Sequence, residues 1–449
     1  VSASVPASAV PGAQWPALPG RSGAAVLALQ FQLTRTERLP PAALVAGQLE
    51  QLRAVLGHAV HAFPAQRARL ERAGYAANGW PADPDEFTSL APLVRADVAA
   101  GWGDPAAPSG HGRIVHHTTA GTSGSPLVIP GTEVEAFFRA GLELRDHLWH
   151  RRDMAAPAAV IDACVRSGAG GFWGRAAQAA YRTGPSAHLD AATPLAGQVA
   201  WLLEVQPAYL RTTPSNLRAL ALECLASRTS LPGLREVCAS GGPVGPELAG
   251  LCRQAWDVPV HATYAAAEFG ILALQCPEHG AWHVQSENVL LEWLNDAGEH
   301  CDPAEPGRVV VSSLHNLALP LVRYDTGDYA QAGPPCACGR SLPVIARIVG
   351  RRRNLVLLPD GRRVAPAHDL AQPLLAPPVR DFRIVQTSRD DLQMQVVTPT
   401  ALDAARIRSM ARTVQQGLGH GFRVEISCVE RLDPVLAAGH DDFQCLLPG

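Results

Sequence analysis

The chain is expected to be an α/β protein with a large N-terminal domain and a small α+β C-terminal domain. Three observations predict this. Between about residues 155 and 266, apolar runs of strand length alternate with helical patterns, which is the signature of a substantially parallel sheet. From about residue 283 the pattern becomes β-rich, which adds a β subdomain to the large domain. Beyond the basic run "GRRRN", residues 350–354, strand and helix patterns recur in a compact ending. The expected boundaries are 1–40 for a loose arm and first strand, 41–350 for the large domain and 351–449 for the small one.

The elements follow in order. The opening "VSASVPASAVPGAQWPALPG" is small and Pro-rich without a basic region, so it reads as a terminal arm rather than a signal peptide. Residues 41–74 are helical, with Leu49, Leu52, Val55 and Leu56 three and four apart and Pro64 as an interruption. "FTSLAPLVRADVAAG" reads as a turn and a short helix. A Gly- and hydroxyl-rich loop precedes a long helix, for which Thr132 is the expected N-cap and Glu135 the capping-box partner. Next come "AAPAAVIDAC" (strand), "GQVAWLLEV" (helix), "AYLRTT" (strand) and "PSNLRALALECLA", a helix with Pro214 in its first turn. "LREVCAS", "PELAGLCRQAW" and "VPVHATYA" read strand, helix, strand. In the small domain "DFRIVQTSRDDLQMQVV", "ALDAARIRSMARTVQQGLG" and "FRVEISCVERL" again read strand, helix, strand.

Composition sets further bounds. Apolar residues make up 47% and charged residues 18% of 449, an ordinary globular balance with room for two to three domains. A net charge of −3 gives no bulk attraction to nucleic acid or anionic membrane, and the apolar runs are too short to span a bilayer. Ten cysteines without a disulfide rhythm fit free thiols in a reducing, cytoplasmic setting. All 38 basic residues other than His are Arg, since the chain has no Lys. With abundant Ala, Gly and Pro, that bias points to a GC-rich bacterial source. Its chemical consequence is that no ammonium group exists on any side chain, so every fixed cationic role falls to Arg.

Several motifs carry chemistry. In "HHTTAGTSGSPLVI", residues 116–129, Gly121 and Gly124 let backbone approach a polyphosphate, while Thr119, Thr122 and Ser123 offer hydroxyls. The Walker spacing is missing, and a Ser/Gly-rich surface turn is the alternative. In "TYAAAEFG", Tyr264 and Glu268 can pair a ring contact with a ligand for Mg²⁺. "VRYDTGD" ends in Asp328, a carboxylate suited to ribose hydroxyls, and Arg351 follows as a phosphate- or carboxylate-binding cation. Cys276, Cys336 and Cys338 with His279 or His283 make a candidate S₃N zinc site, structural because four protein ligands leave no open position. Two separate buried-thiol clusters are the alternative.

The order of these pieces resembles the adenylate-forming (AMP-binding) enzymes, and within them the phenylacetate–CoA ligase branch. That branch writes its loop "SSGTTGKP", matched by residues 119–126. It also carries "RYRTGD" and "C-x-CGRxLPxI", matched by "RYDTGD" and "CACGRSLPVI". The resemblance runs from about Leu49 to Arg363. It implies ATP/AMP binding, with Thr119, Gly121, Thr122, Ser123 and Gly124 on the phosphates and Ser240, Gly241 and Gly242 on the adenine side. Tyr264 would stack near the adenine, Glu268 would bind Mg²⁺, Asp328 would hold the ribose, and Arg351 would reach ribose or phosphate. Glu268 and Arg351 are thereby its expected catalytic groups. The branch also favours His283 for the zinc set. A small carboxylic acid as substrate and the thiol of CoA or a carrier protein's phosphopantetheine as acceptor follow from the resemblance, as does a homodimer.

Two departures stand out. Arg353 occupies the family's hinge, where Asp or Lys is usual. The terminal lysine of the family's G-K-x-x-R loop has no counterpart in "AAGHDDFQCLLPG", where His440, Asp441 and Asp442 stand, and Ser125 replaces the loop lysine. Carboxylates beside a leaving pyrophosphate have the wrong sign for stabilising it. Three functions remain open on the sequence: a ligase acting through an acyl-adenylate, an enzyme that kept this pocket for amide formation or activation of another oxyanion, and a non-catalytic nucleotide- or acyl-binding descendant.

Overall fold

A computed structural model describes residues 5–75, 89–100, 107–118, 127–162, 171–242, 244–302, 305–367, 370–376, 378–430, 432 and 442–447. Helix α1 (Arg21–Thr36) occupies the stretch expected to hold a first strand. Gly23, Val26, Leu29, Gln30 and Leu33 are its buried residues, recurring three and four apart, so the apolar run "GAAVLALQFQL" has one buried side at helical rather than strand period. Helices α2 (Pro41–Ala62) and α3 (Pro64–Arg72) are split where the sequence places Pro64. Phe63 before it is extended, because the proline ring disfavours helical backbone at the preceding residue. The short helix α4 (Arg95–Ala99) follows.

Strands β1 (Ile114–Thr118) and β2 (Val128–Thr132) pair antiparallel and flank the Gly-rich loop. Helix α5 (Glu133–Trp149) leaves β2 directly, with Thr132 Oγ1 accepting from the Glu135 backbone N–H at 3.1 Å. The reciprocal half of the expected capping box is replaced. The Glu135 carboxylate meets His117 Nε2 at 3.0 Å and the Arg139 guanidinium instead, since a charge-assisted pair with Arg outcompetes a bond from one backbone N–H.

The alternating region folds as β3 (Ala158–Asp162), α6 (Gly174–Ala180), β4 (Ser186–Asp190), α7 (Leu195–Val205), β5 (Tyr209–Thr212), α8 (Pro214–Ser227), β6 (Glu236–Ala239), α9 (Pro246–Trp256) and β7 (Val260–Ala266). The antiparallel continuation is β8 (Gly270–Gln275), β9 (Trp282–Val284), β10 (Val289–Leu294), β11 (Pro306–Ser313), β12 (Tyr324–Gly333) and β13 (Val344–Arg351). Together these strands make one 11-stranded sheet, ordered β10-β11-β12-β13-β9-β8-β7-β6-β5-β3-β4. The β4-β3-β5-β6-β7 part is parallel and the rest antiparallel, so the parallel and β-rich halves are continuous through the β7–β8 hairpin.

Alternation along the parallel strands divides their two faces. Ala159, Ile161, Leu210, Val237 and Ala239 pack under α7, α8 and α9. Ala158, Val160 and Tyr209 face Val26, Leu144, Phe172 and Trp173 from the α1, α5 and α6 side.

Strands β14 (Val356–Leu357) and β15 (Arg363–Val364) and helix α10 (Ala371–Leu374) lead to a second sheet. It contains β16 (Asp381–Gln386), β17 (Asp391–Val397), β18 (Arg423–Val429) and β19 (Phe443–Cys445), in the order β18-β17-β16-β19, with helix α11 (Ala404–Leu418) packed on it. Phe382, Ile384, Met394, Met410, Val414 and Phe422 form its core. The expected single strand in "DFRIVQTSRDDLQMQVV" is a hairpin, β16 to β17, because "TSRDD" is a turn: Ser388 and Asp391 bond to each other across it.

Candidate active site

The antiparallel half of the sheet brings distant motif residues together. Asp328 on β12 and Arg351 at the end of β13 are register partners, and Arg351 Nε lies 3.0 Å from Asp328 Oδ1. Tyr264, from β7, donates its hydroxyl to Asp328 Oδ2 at 2.9 Å. Burial pushes the Asp328 carboxyl above its ordinary value, although Arg351 and the Tyr264 hydroxyl pull the other way. Burial and the Asp328 charge likewise push the Tyr264 phenol up, so it remains a neutral donor. Arg351 is held on its far side by the Thr326 carbonyl at 2.6 Å.

Glu268 lies in the turn between β7 and β8, 9% exposed. Tyr324 donates to its Oε1 at 3.0 Å. Arg95 Nη1 stands 3.8 Å from the same oxygen. Arg95 arrives because the preceding segment runs beside β12: Leu93 N–H donates to the Arg323 carbonyl at 2.7 Å, and Asp325 N–H donates to the Leu93 carbonyl at 2.8 Å. The turn is braced from α5 by Arg139, which donates to the carbonyls of Ala267 (3.0 Å) and Glu268 (2.9 Å). Gly270 closes it with φ +73°, and a Cβ there would come 3.0 Å from Arg139 Cγ. Arg95, Arg139 and Tyr324 were not singled out in the sequence.

Ser240, Gly241 and Gly242 follow β6 at the carboxyl end of the parallel strands, the usual ligand edge of such sheets. The Ser240 N–H donates to the Thr212 carbonyl at 3.1 Å, which ties this loop to the end of β5. Thr119, Gly121, Thr122, Ser123 and Gly124 lie outside the described residues, as do Ser125, Cys164, Arg431, His440 and Asp441. Their loop is nonetheless bracketed, since β1 and β2 fix where it leaves and returns. His117 is committed to Glu135. Asp442 is described: its carbonyl accepts from Ile384 N–H at 2.8 Å as β19 begins.

Cys276, His283, Cys336 and Cys338 converge, with all four ligand atoms within 4.8 Å of one another. Cys336 Sγ is 3.9 Å from Cys276 Sγ, and Cys338 Sγ is 3.3 Å from His283 Nε2. Ligands about 2.0–2.3 Å from a tetrahedral ion are roughly 3.3–3.8 Å apart, so the set fits a four-coordinate zinc. His279 is exposed and outside the cluster.

No known family profile matches the sequence, and no curated protein does. Solved structures do. A 2-hydroxyisobutyryl-CoA ligase in its postadenylation state matches with a TM-score of 0.73 and 21% identity, over 92% of this chain and 91% of that one. The fold is that of the adenylate-forming ligases. The same ligase in its thioesterification state matches with a TM-score of 0.61 and 23% identity, over 89% and 90%. An amide bond synthetase from Marinactinospora thermotolerans matches with a TM-score of 0.51 and 17% identity, over 70% of this chain and 66% of that one. The better overlay on the postadenylation state means that the overall arrangement here is nearer to that one of the two.

Proposed function

We propose that this chain activates a small carboxylic acid with ATP, forming an acyl-adenylate and pyrophosphate, and passes the acyl group to the thiol of CoA or of a carrier protein. The observation that carries this reading is the joining of Tyr264, Asp328 and Arg351 into one bonded set. It sits on a fold whose solved examples include acyl-AMP-bound CoA ligases.

In this reading Asp328 accepts the ribose hydroxyls, which then compete with Tyr264 and Arg351 for its oxygens. Ser240, Gly241 and Gly242 border the base, and the Tyr264 ring supports it. Thr119 to Gly124 cradle the phosphates. Glu268 holds Mg²⁺, whose charge offsets that of the phosphate oxygens. Arg95 adds a fixed cation on the same side, in a chain with no lysine to supply one. Zinc at Cys276, His283, Cys336 and Cys338 has a structural role, clipping the β8–β9 turn to the segment before β13. Rotation near Arg353 lets the small domain serve adenylation and transfer in turn.

The absence of lysine favours a second reading, in which the adenylate is kept and the acceptor is an amine. One assay separates the two. The protein is incubated with ATP, Mg²⁺ and a panel of aryl and alkyl acids, with CoA or amines added, and pyrophosphate and acyl products are followed. Pyrophosphate with thioester supports the first reading, and pyrophosphate with amide supports the second. No pyrophosphate with any acid overturns both.

A further inference from the structure

On the sheet face beneath α5, the apolar packing around Ala158 and Tyr209 gives way toward the carboxyl ends to a row rich in polar side chains. Strand register sets His188, Val160, Arg211, Cys238 and His261 in one row across β4, β3, β5, β6 and β7. This row lies two residues below Ser240, roughly 7 Å at the rise of a strand. It therefore lies just below the carboxyl ends of the parallel strands, the edge at which such sheets take ligands.

Most charges near this row are already matched. Arg152 is paired with Asp146 and donates Nε to Glu236 Oε1 at 2.9 Å. His261 Nδ1 lies 3.1 Å from Glu236 Oε1, and Cys238 Sγ lies 3.3 Å from it. His150 Nδ1 is 3.2 Å from Asp146. Arg139 is engaged by Glu135 and two carbonyls.

Among the described residues, Arg211 and Glu143 carry opposite charges, have no ion-pair partner within 4 Å, and both flank the turn 171–174. Arg211 is half-buried. It makes one hydrogen bond, from Nη2 to the Gly171 carbonyl at 3.2 Å, and lies over the Phe172 ring at 5.5 Å. No carboxylate pairs with it among the described residues. Glu143 projects from α5 toward the same turn, its Oε2 2.7 Å from where a Cβ on Gly174 would lie. Its side chain is accessible although its neighbours Leu142 and Leu144 are buried, and it has no hydrogen-bond partner among the described residues. Although solvent still reaches it, the elements crowded around it desolvate the Glu143 carboxyl and push it above its ordinary value, against the pull of Arg211, Arg139 and Arg175. Unmatched polar groups in a recess are expensive unless a ligand or water meets them. A lone carboxylate ligand answers Arg211 only, and a lone ammonium answers Glu143 only. A group that both donates and accepts answers both.

We propose that the acid activated here is short and ends in a hydroxyl or primary amide, which accepts from Arg211 and donates to Glu143 about two strand residues below the reacting carboxyl. This rests on the acid-activating reading above and names its substrate class. An alkyl acid of equal length leaves both charges unanswered, and that is the source of selection.

The test uses the full chain and non-hydrolysable acyl-sulfamoyl adenosines bearing butanoyl, 4-hydroxybutanoyl, succinyl or 4-aminobutanoyl groups, with affinity read by calorimetry. The hydroxyacyl compound is expected to bind at least about tenfold tighter than each of the others. Arg211→Met and Glu143→Leu should each collapse the hydroxybutanoyl-to-butanoyl ratio toward one, with folding checked by thermal melting. The wild-type ratios decide the matter if either variant fails to fold. Equal binding of all four compounds overturns the inference and leaves the adenylate site standing, and a preference for succinyl or aminobutanoyl overturns it in favour of a single-charge pocket. Failure of all four to bind overturns the adenylate site and this inference with it.

Discussion

Asp328 concentrates the chemistry of single residues. It is bonded by Tyr264 and Arg351 before any nucleotide arrives, so its oxygens are already aimed and desolvated. Asp328→Ala is expected to weaken AMP binding by about 1.5–3 kcal/mol, the worth of hydrogen bonds to a charged acceptor. Unchanged affinity by calorimetry would remove the ribose assignment. The pH dependence has a definite sign. In the proposed site the carboxylate form would accept the ribose hydroxyls, and burial raises the pKa of this group. Affinity should therefore be full at neutral pH and fall on acidification, with onset at a higher pH than for an ordinary aspartate near 3.9. Titrating AMP affinity downward from pH 7, with the Asp328→Asn variant as a flat control, checks it. All of Tyr264, Glu268, Asp328 and Arg351 were legible in the sequence because each sits in a short motif. Arg95 and Arg211 were not, since a lone Arg in a helix or strand carries no signal until register shows what it faces.

At the scale of elements, two fixtures hold the site strands. The start of β12 is anchored by Arg323, 1% exposed with φ +52°. It pairs with Glu292 on β10 at 3.0 Å and donates to the Leu90 carbonyl at 2.6 Å. Arg323→Ala leaves Glu292 buried beside no guanidinium, and about 3–5 kcal/mol of stability should be lost. A denaturation midpoint within error of wild type would show that the pair contributes nothing. The second fixture is the Cys/His cluster. Purified protein should carry about one zinc per chain by elemental analysis, and Cys276→Ser or Cys338→Ser should abolish it and lower the melting temperature. Protein never exposed to chelator that holds no zinc sinks this assignment. The helix α1 shows why one element was misread: a short apolar run fits strand or helix, and only the packing of Val26, Leu29 and Leu33 against α5 and α6 chooses.

At the scale of the whole molecule, the question is how a lysine-free chain would manage the proposed adenylation step. The small second sheet contacts the end of the large one at the turn 352–354, where Asn354 Nδ2 donates to the Phe443 carbonyl at 3.0 Å. Asp442, immediately before it, stands where "DDFQ" resembles the family's "GKFR". Asp442→Lys should raise ATP–pyrophosphate exchange about tenfold, if the missing ammonium is what limits the step. An unchanged or lower rate would mean that an arginine already supplies the charge. Arg95, 3.8 Å from Glu268, is the cation already in place to do so.

The sequence by itself determined the fold class, the order of strands and helices from α7 through β7 (α6 and β4 carried no clear pattern), and the short motifs that hold Tyr264, Glu268, Asp328 and Arg351. These are properties of local pattern and short motifs, which survive without knowledge of what packs on what. Tertiary structure alone decided that β7 and β8 fuse the parallel and antiparallel halves into one sheet. It also decided that Tyr264 reaches Asp328 across 64 residues, and that of two candidate histidines His283 joins the cysteines. The same holds for Arg211 and Glu143, which it brings to one turn. Contacts of this kind depend on register between strands far apart in the chain, and a shift of one residue turns a side chain to the other face.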